Sequence, residues 1–341
     1  MRRKYGFLAL SLILLLAACT GTAGDAGPAG PAGPAGADGA PGPAGPAGAD
    51  ASAMAAADLT CTECHNDSSI ITGKKAAWEE SLHSTGEAFV RGESSGCAGC
   101  HSGGGFSAMI AAGLNPSEVT EGDPNPTHQD CRTCHAIHTT FTGADWALET
   151  TAAVDLYAFE GVTFDGGSGN LCAVCHQPRR QMDAAVDGMV EVTSTHWGPH
   201  HGPQSAMLLG VGAAPGVEGR AASHATMVAD TCVTCHLGET DDHTYEVTPA
   251  ACVECHGEIE DFDLGGTQTD VQAMLDELEA ALKGKGLLDA DGGIVVGSYP
   301  EAEAGALWNW IYVAHEDKSL GVHNPSYTKD ILQAGLDALS G

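Results

Sequence analysis

In Cys232-Val233-Thr234-Cys235-His236, two thiols separated by two residues are followed at once by an imidazole, the attachment signature of c-type haem. The pattern occurs six times. The chemistry requires that spacing: both thiols add to the two vinyl groups of one porphyrin, and the next histidine lies under the iron as its proximal ligand. Six motifs imply six covalently bound haem c groups, joined at Cys61 and Cys64, Cys97 and Cys100, Cys131 and Cys134, Cys172 and Cys175, Cys232 and Cys235, and Cys252 and Cys255. The proximal iron ligands are then His65, His101, His135, His176, His236 and His256. Paired cysteines also hold structural zinc. A histidine directly after the second cysteine of every copy sets that reading aside.

Composition agrees with so large a prosthetic load. Aromatic residues are 5% of the 341 and glycine accounts for 46, so side chains alone would make a thin core. Porphyrins would supply the missing apolar bulk, and the haem-free chain is expected to be largely unfolded. Of thirteen cysteines only Cys19 lies outside the motifs, which leaves no disulfide framework to propose. The formal charge is −31, and it falls to −34 once Arg2, Arg3 and Lys4 leave with a leader. Such a surface repels nucleic acid and anionic lipid, and it favours cationic partners or cationic minerals.

Residues 1–18 read as a lipoprotein signal peptide, with a basic start, an apolar run from Phe7 to Leu16 too short to span a bilayer, and a small-residue cleavage site. Leu16-Ala17-Ala18-Cys19 resembles the bacterial lipobox, which implies lipidation of Cys19 and export to the outer membrane, on its periplasmic or cell-surface face. In residues 19–57, glycine recurs at every third position from Gly21 to Gly48, usually with Pro-Ala between. This collagen-like repeat is expected to be a disordered or polyproline II tether, roughly 80 to 90 Å long at about 3.1 Å per residue. A trimer wound through it is the alternative.

The fold expected from residue 58 onward is mainly α with extensive loops. A haem-dominated domain over 58–257 carries the motifs between stretches rich in Gly, Pro, Asn and Asp. Lys74 to Val90 is a candidate helix, with Trp78, Leu82 and Phe89 on one stripe, and no strand pattern is convincing. A C-terminal helical module over 258–341 follows, with helical patterns at Val271 to Leu282, Ala302 to Ala314 and Tyr327 to Leu339. It is expected to pack on the haem domain.

Ten histidines lie outside the motifs, against six irons that could each take one more ligand. His83 is placed on the first helix. His138, three residues after its motif, is too near to fold over its own haem and would serve a neighbour. His224 and His243 stand shortly before the fifth and sixth motifs, and His323 reaches back from the C-terminal module. Within Thr195 to Gln204, one of His196, His200 and His201 is expected to be a ligand, and His201 is the choice. His128 and His315 are the weaker candidates.

With these motifs the chain resembles the multihaem cytochrome superfamily, which includes pentahaem nitrite reductase, octahaem hydroxylamine oxidoreductase and the electron-transfer cytochromes of metal-respiring bacteria. The resemblance covers the chain from about Asp58 and rests on the six motifs, on His224 to His236, on His243 to His256, and on Trp308-Asn309-Trp310 through His323. In nitrite reductases a similar tail brings a distal ligand to a haem, which implies that role for His323. Two departures stand out: there is no Cys-x-x-Cys-Lys motif, and two haems are missing relative to hydroxylamine oxidoreductase.

The expected function is electron transfer along bis-histidine haems, with no catalytic residue. Other periplasmic or outer-membrane redox proteins and external acceptors are the expected partners, in anaerobic or extracellular respiration. A reductase of a small nitrogen or sulfur oxyanion such as nitrite would need an iron with an open position. A filament subunit, lending a histidine such as His128 to the next protomer, is the third reading.

Overall fold

The computed structural model describes residues 65, 69–200, 202–238 and 241–340. The leader, Cys19, the Gly-X-Y segment, Cys61, Cys64 and His201 lie outside the described residues. Residues 54–341 form one compact unit.

The first helix, α1 (Ser69–Glu80), is shorter than its apolar stripe suggests. Ser81 turns its amide and hydroxyl back to the Trp78 carbonyl, and the Ser84 hydroxyl bonds to the Glu79 carbonyl. Hydroxyls competing for the last carbonyls end a helix. Leu82 is therefore 92% exposed and Phe89 enters a separate 3₁₀ segment, Ala88–Glu93. His83 lies just beyond α1 rather than on it.

Short helices then alternate with loops. They are α2 (Ala98–His101), α3 (Gly103–Ala111), α4 (Cys131–Cys134), α5 (Asn170–Cys175), α6 (Gln204–Leu209), α7 (Ser223–Met227), α8 (Cys232–His236) and α9 (Val253–His256). Helices of four to nine residues are marginal in water. Two small apolar clusters support them: Phe106, Met109, Leu171 and Val174 between α3 and α5, and Leu156, Phe164, Ala173, Ala206, Leu208 and Ala222 around α5 and α6.

Contrary to the sequence reading, two antiparallel strand pairs are present: β1 (Val154–Asp155) with β2 (Thr163–Phe164), and β3 (Met189–Val192) with β4 (Gly297–Pro300). β3 buries Val190 and Val192 and turns Met189 and Glu191 outward, but four residues are too few to register as alternation.

The main apolar core lies under three longer helices, α10 (Thr267–Lys285), α11 (Glu301–Ile311) and α12 (Pro325–Leu339). α10 buries Val271, Leu275, Leu278 and Leu282 at helical spacing, and Gly286 ends it in the left-handed conformation that a side chain resists. Each such burial contributes about 1.5–3 kcal/mol. Gly335 lets α12 approach α10, since a Cβ there would meet Leu278 at 2.8 Å. The core also takes in Met182, Val190, Val192, Trp197, Met207 and Ala214, so the C-terminal helices share it with the residues around α6.

The loop after α6 is pinned to α11 and α12. Tyr312 Oη donates to the Val211 carbonyl (2.7 Å), Trp308 Nε1 to the Gly212 carbonyl (2.9 Å), Ala213 N to Tyr327 Oη (3.0 Å) and Ala214 N to Asn309 Oδ1 (2.8 Å). Main-chain groups of four consecutive residues, partly or fully buried, thus find partners.

Candidate haem-ligand site

Positions i, i+3 and i+4 of a helix share one face. Because α2, α5, α8 and α9 each coil through their Cys-x-x-Cys run, both thiols and the adjoining imidazole project together. α4 does the same, with Asp130 capping it by accepting from Arg132 N at 2.9 Å. All ten described cysteines are free thiols. Among the described residues, no three His, Cys, Asp or Glu side chains converge as a metal cage, so the pairs lack the four-ligand enclosure of structural zinc.

Each motif histidine instead faces one spare histidine. The ring centroids lie 6.0 Å apart for His65 and His138, 6.1 Å for His101 and His200, and 6.3 Å for His135 and His243. They lie 6.2 Å apart for His176 and His83, 6.4 Å for His236 and His323, and 6.1 Å for His256 and His224. A metal bound by two opposed imidazoles at about 2.0 Å, with roughly 1.1 Å from each nitrogen to its ring centre, sets the centroids about 6.2 Å apart. Direct ring stacking needs no such constancy. The donor set and spacing therefore fit one iron between each pair.

Five of the facing residues, His83, His138, His224, His243 and His323, are those singled out in the sequence. The sixth differs. The structure sets His200 opposite His101, whereas His201, the sequence choice, lies outside the described residues. His200 has φ 75° between Gly198 (φ 150°) and Gly202 (φ 120°), a backbone course that residue type and spacing do not announce. The other spare histidines face aromatic or hydroxyl neighbours: His128 lies 4.2 Å from Phe89, His315 packs edge-on to Trp310 at 4.7 Å, and exposed His196 lies beside the Thr195 hydroxyl.

The far nitrogens are oriented by the fold. Nδ1 of His135 meets the Trp146 carbonyl (2.7 Å), that of His236 the Tyr245 carbonyl (3.0 Å), that of His224 the Val322 carbonyl (2.8 Å) and that of His243 the Asp241 carbonyl (2.9 Å). His176 Nδ1 meets Gln204 Oε1 at 3.1 Å. A bond at Nδ1 leaves Nε2 as the ligating atom and fixes the ring plane. His83 is held neutral, its pKa lowered to about 4 by burial and then by the charge of His176. Only a neutral imidazole ligates.

His138 arrives on a loop organised by one carboxylate. Buried Asp145 accepts from His138 N (2.8 Å), Thr140 N (2.7 Å), Thr140 Oγ1 (2.6 Å) and Phe141 N (2.9 Å). Burial opposes ionisation of Asp145, yet these donors overcome it and hold the group below the usual carboxylate range. The Phe141 ring lies parallel to the His138 ring at 5.3 Å. None of Asp145, Thr140 or Phe141 was singled out in the sequence.

The pairs neighbour one another in a definite order. The thiols of Cys100 and Cys175 lie close enough to perturb each other's ionisation, as do those of Cys172 and Cys232. Tyr245 lies against both His83 and His243, at 4.9 and 5.9 Å. The His83–His176 pair thus adjoins three others.

No protein-family model matches the chain, and no curated protein sequence matches it. A solved structure of the outer cell wall cytochrome OcwA is similar, with 21% identity and a TM-score of 0.53 over 78% of this chain. The match spans 50% of that longer chain. The likeness is one of fold. Among the described residues no helix is long and apolar enough to cross a membrane.

Proposed function

We propose that this chain is a hexahaem c-type cytochrome that carries electrons between redox partners outside the cytoplasm, held to the outer membrane through lipidated Cys19. The observation that carries the reading is the facing of all six motif histidines by a second histidine at 6.0–6.4 Å. Haem iron, when bound, supplies reversible one-electron chemistry. The chain's own residues fix the axial ligands, close the coordination sphere and set neighbouring sites in contact, which is what a relay asks of its protein.

Adjacency through Cys100 and Cys175, Cys172 and Cys232, and Tyr245 supports a branched array centred on the His83–His176 site. A reductase of a small oxyanion would need an iron with one free position, and the pairing supplies a second histidine at every site. His128, the donor considered for a filament, packs on Phe89 within its own chain.

The test is a pyridine haemochrome count with a low-temperature electron paramagnetic resonance (EPR) spectrum of the oxidised protein. Six haems, all low-spin, are expected. Fewer haems, or a high-spin component in the unmodified protein, would defeat the reading.

A further inference from the structure

One axial histidine is bound unlike the others whose partners were described above. Where those partners are carbonyl or amide oxygens, His323 Nδ1 lies 2.7 Å from Oδ1 of Asp317, whose side chain is fully buried. The second oxygen of Asp317 accepts from Ser319 Oγ at 2.5 Å and from Ser319 N at 3.3 Å, and Ser319 Oγ accepts from His323 N at 3.2 Å. The carboxylate is thus fixed by a closed ring of hydrogen bonds.

The backbone that places it is unusual. α11 runs directly into a π-helical turn, Tyr312–Asp317, and the next residues include Lys318 (φ 60°) and Leu320 (φ 51°) in the left-handed region. π-turns and strained non-glycine residues cluster at functional sites. The preceding residue of the same turn, Glu316, accepts at its carbonyl from Gln204 Nε2 (2.9 Å), and Gln204 in turn holds His176. One turn therefore braces axial ligands of two neighbouring sites.

From this geometry we propose that Asp317 is a positioning residue that lowers the reduction potential of the iron held between His236 and His323. The inference rests on the haem reading above. A carboxylate accepting from Nδ1–H raises the basicity of the ligating nitrogen, which favours ferric over ferrous iron. The buried negative charge acts in the same direction. The neutral oxygens on His135, His176, His224 and His243 have a weaker effect.

The experiment is a spectroelectrochemical titration of the full haem-loaded chain, comparing the natural protein with Asp317→Asn. One of six components is expected to move positive, by at least tenfold in its ferric-to-ferrous ratio at fixed potential, or about 59 mV for one electron. Asp317→Glu should restore much of the shift. The component is identified in His323→Met, where a thioether ligand raises it further. Ser319→Ala leaves more charge on Asp317 and is expected to move the same component negative, a test that stands if Asp317→Asn does not fold.

Unchanged potentials would overturn the inference while leaving the haem reading intact. So would a high-spin signal in Asp317→Asn, which would mean that Asp317 only holds the loop. A haem count other than six in the natural protein would instead defeat the reading beneath it.

Discussion

Replacing Asp145 with alanine is expected to free His138 from its iron while the rest of the protein stays folded. Four donors converge on this carboxylate at 2.6–2.9 Å, three of them main-chain amides of the ligand-bearing loop. A hydrogen bond to a charged acceptor is worth about 1.5–3 kcal/mol, and such bonds are not additive when water can reach the freed donors. About 3–5 kcal/mol of local order is a fair expectation, and it shifts the balance of docked to undocked loop by about two to four powers of ten. The loop also stores strain, since His138 (φ 66°) and Phe141 (φ 56°) are held in the left-handed region and relax once the carboxylate is gone. The assay is carbon monoxide binding to the reduced protein, with EPR of the oxidised form, because an iron that has lost one axial ligand takes up an exogenous one. One of six haems should bind carbon monoxide and turn high-spin. Asp145→Asn, which keeps an acceptor but turns amide protons toward donors, should give a partial effect. Six low-spin haems and no carbon monoxide uptake in folded Asp145→Ala protein would refute the reasoning.

His200→Ala should open one iron and His201→Ala none; equal spectra from the two variants, read by EPR, would contradict the facing of His200 and His101. His128→Ala and His315→Ala should leave all haems low-spin, since their rings pack on Phe89 and Trp310. Leu278→Ala, which removes a fully buried side chain between α10 and α12, should cost about 2–5 kcal/mol in chemical denaturation with the haem spectrum of the native state unchanged. In acid, Asp123 and Asp145 contribute with a definite sign. The Ser102 hydroxyl and then the Asn125 amide lower Asp123, and both carboxyls titrate in the folded state below the unfolded value of about 3.9. Their stabilisation is complete above that value and is lost as pH falls through the lower folded values, so a circular dichroism titration should show unfolding below about pH 4.

The candidate histidines, though not their pairing, could be named from the sequence to the extent that chemistry limits the choices. His138 cannot bend back over a haem three residues away, and His323 follows a helix whose apolar pattern, at Leu307, Ile311 and Tyr312, fixes where the chain must return. α10 and α12 were readable within a few residues because Val271, Leu275, Leu278 and Leu282, and the Asn324-Pro325 start, follow helical rules. His200 was not readable. Its placement opposite His101 depends on a left-handed backbone at His200 itself (φ 75°), which residue type and spacing do not announce. The end of α1 was missed because its apolar stripe outlasts the helix, and the Ser81 and Ser84 hydroxyls beyond Glu80 decide the matter.

The two halves of the molecule keep order by different means. Around α10 to α12 the chain buries Leu, Ile, Trp and Tyr in an ordinary apolar core, so that part has a source of stability independent of any haem. In the motif region the apolar clusters are small, and the ligand-bearing segments are set by polar braces: Asp145 for His138, Asp241 and Val322 carbonyls for His243 and His224, Gln204 for His176. Such braces orient a ring without themselves burying much area, which leaves the haem faces to supply what the side chains do not. The expectation that the haem-free chain is largely unfolded therefore divides. Haem-free protein should keep helical circular dichroism from α10 to α12 and lose protection elsewhere, and amide exchange reads the two regions separately. Uniform loss of protection across both would mean that the C-terminal core also depends on haem.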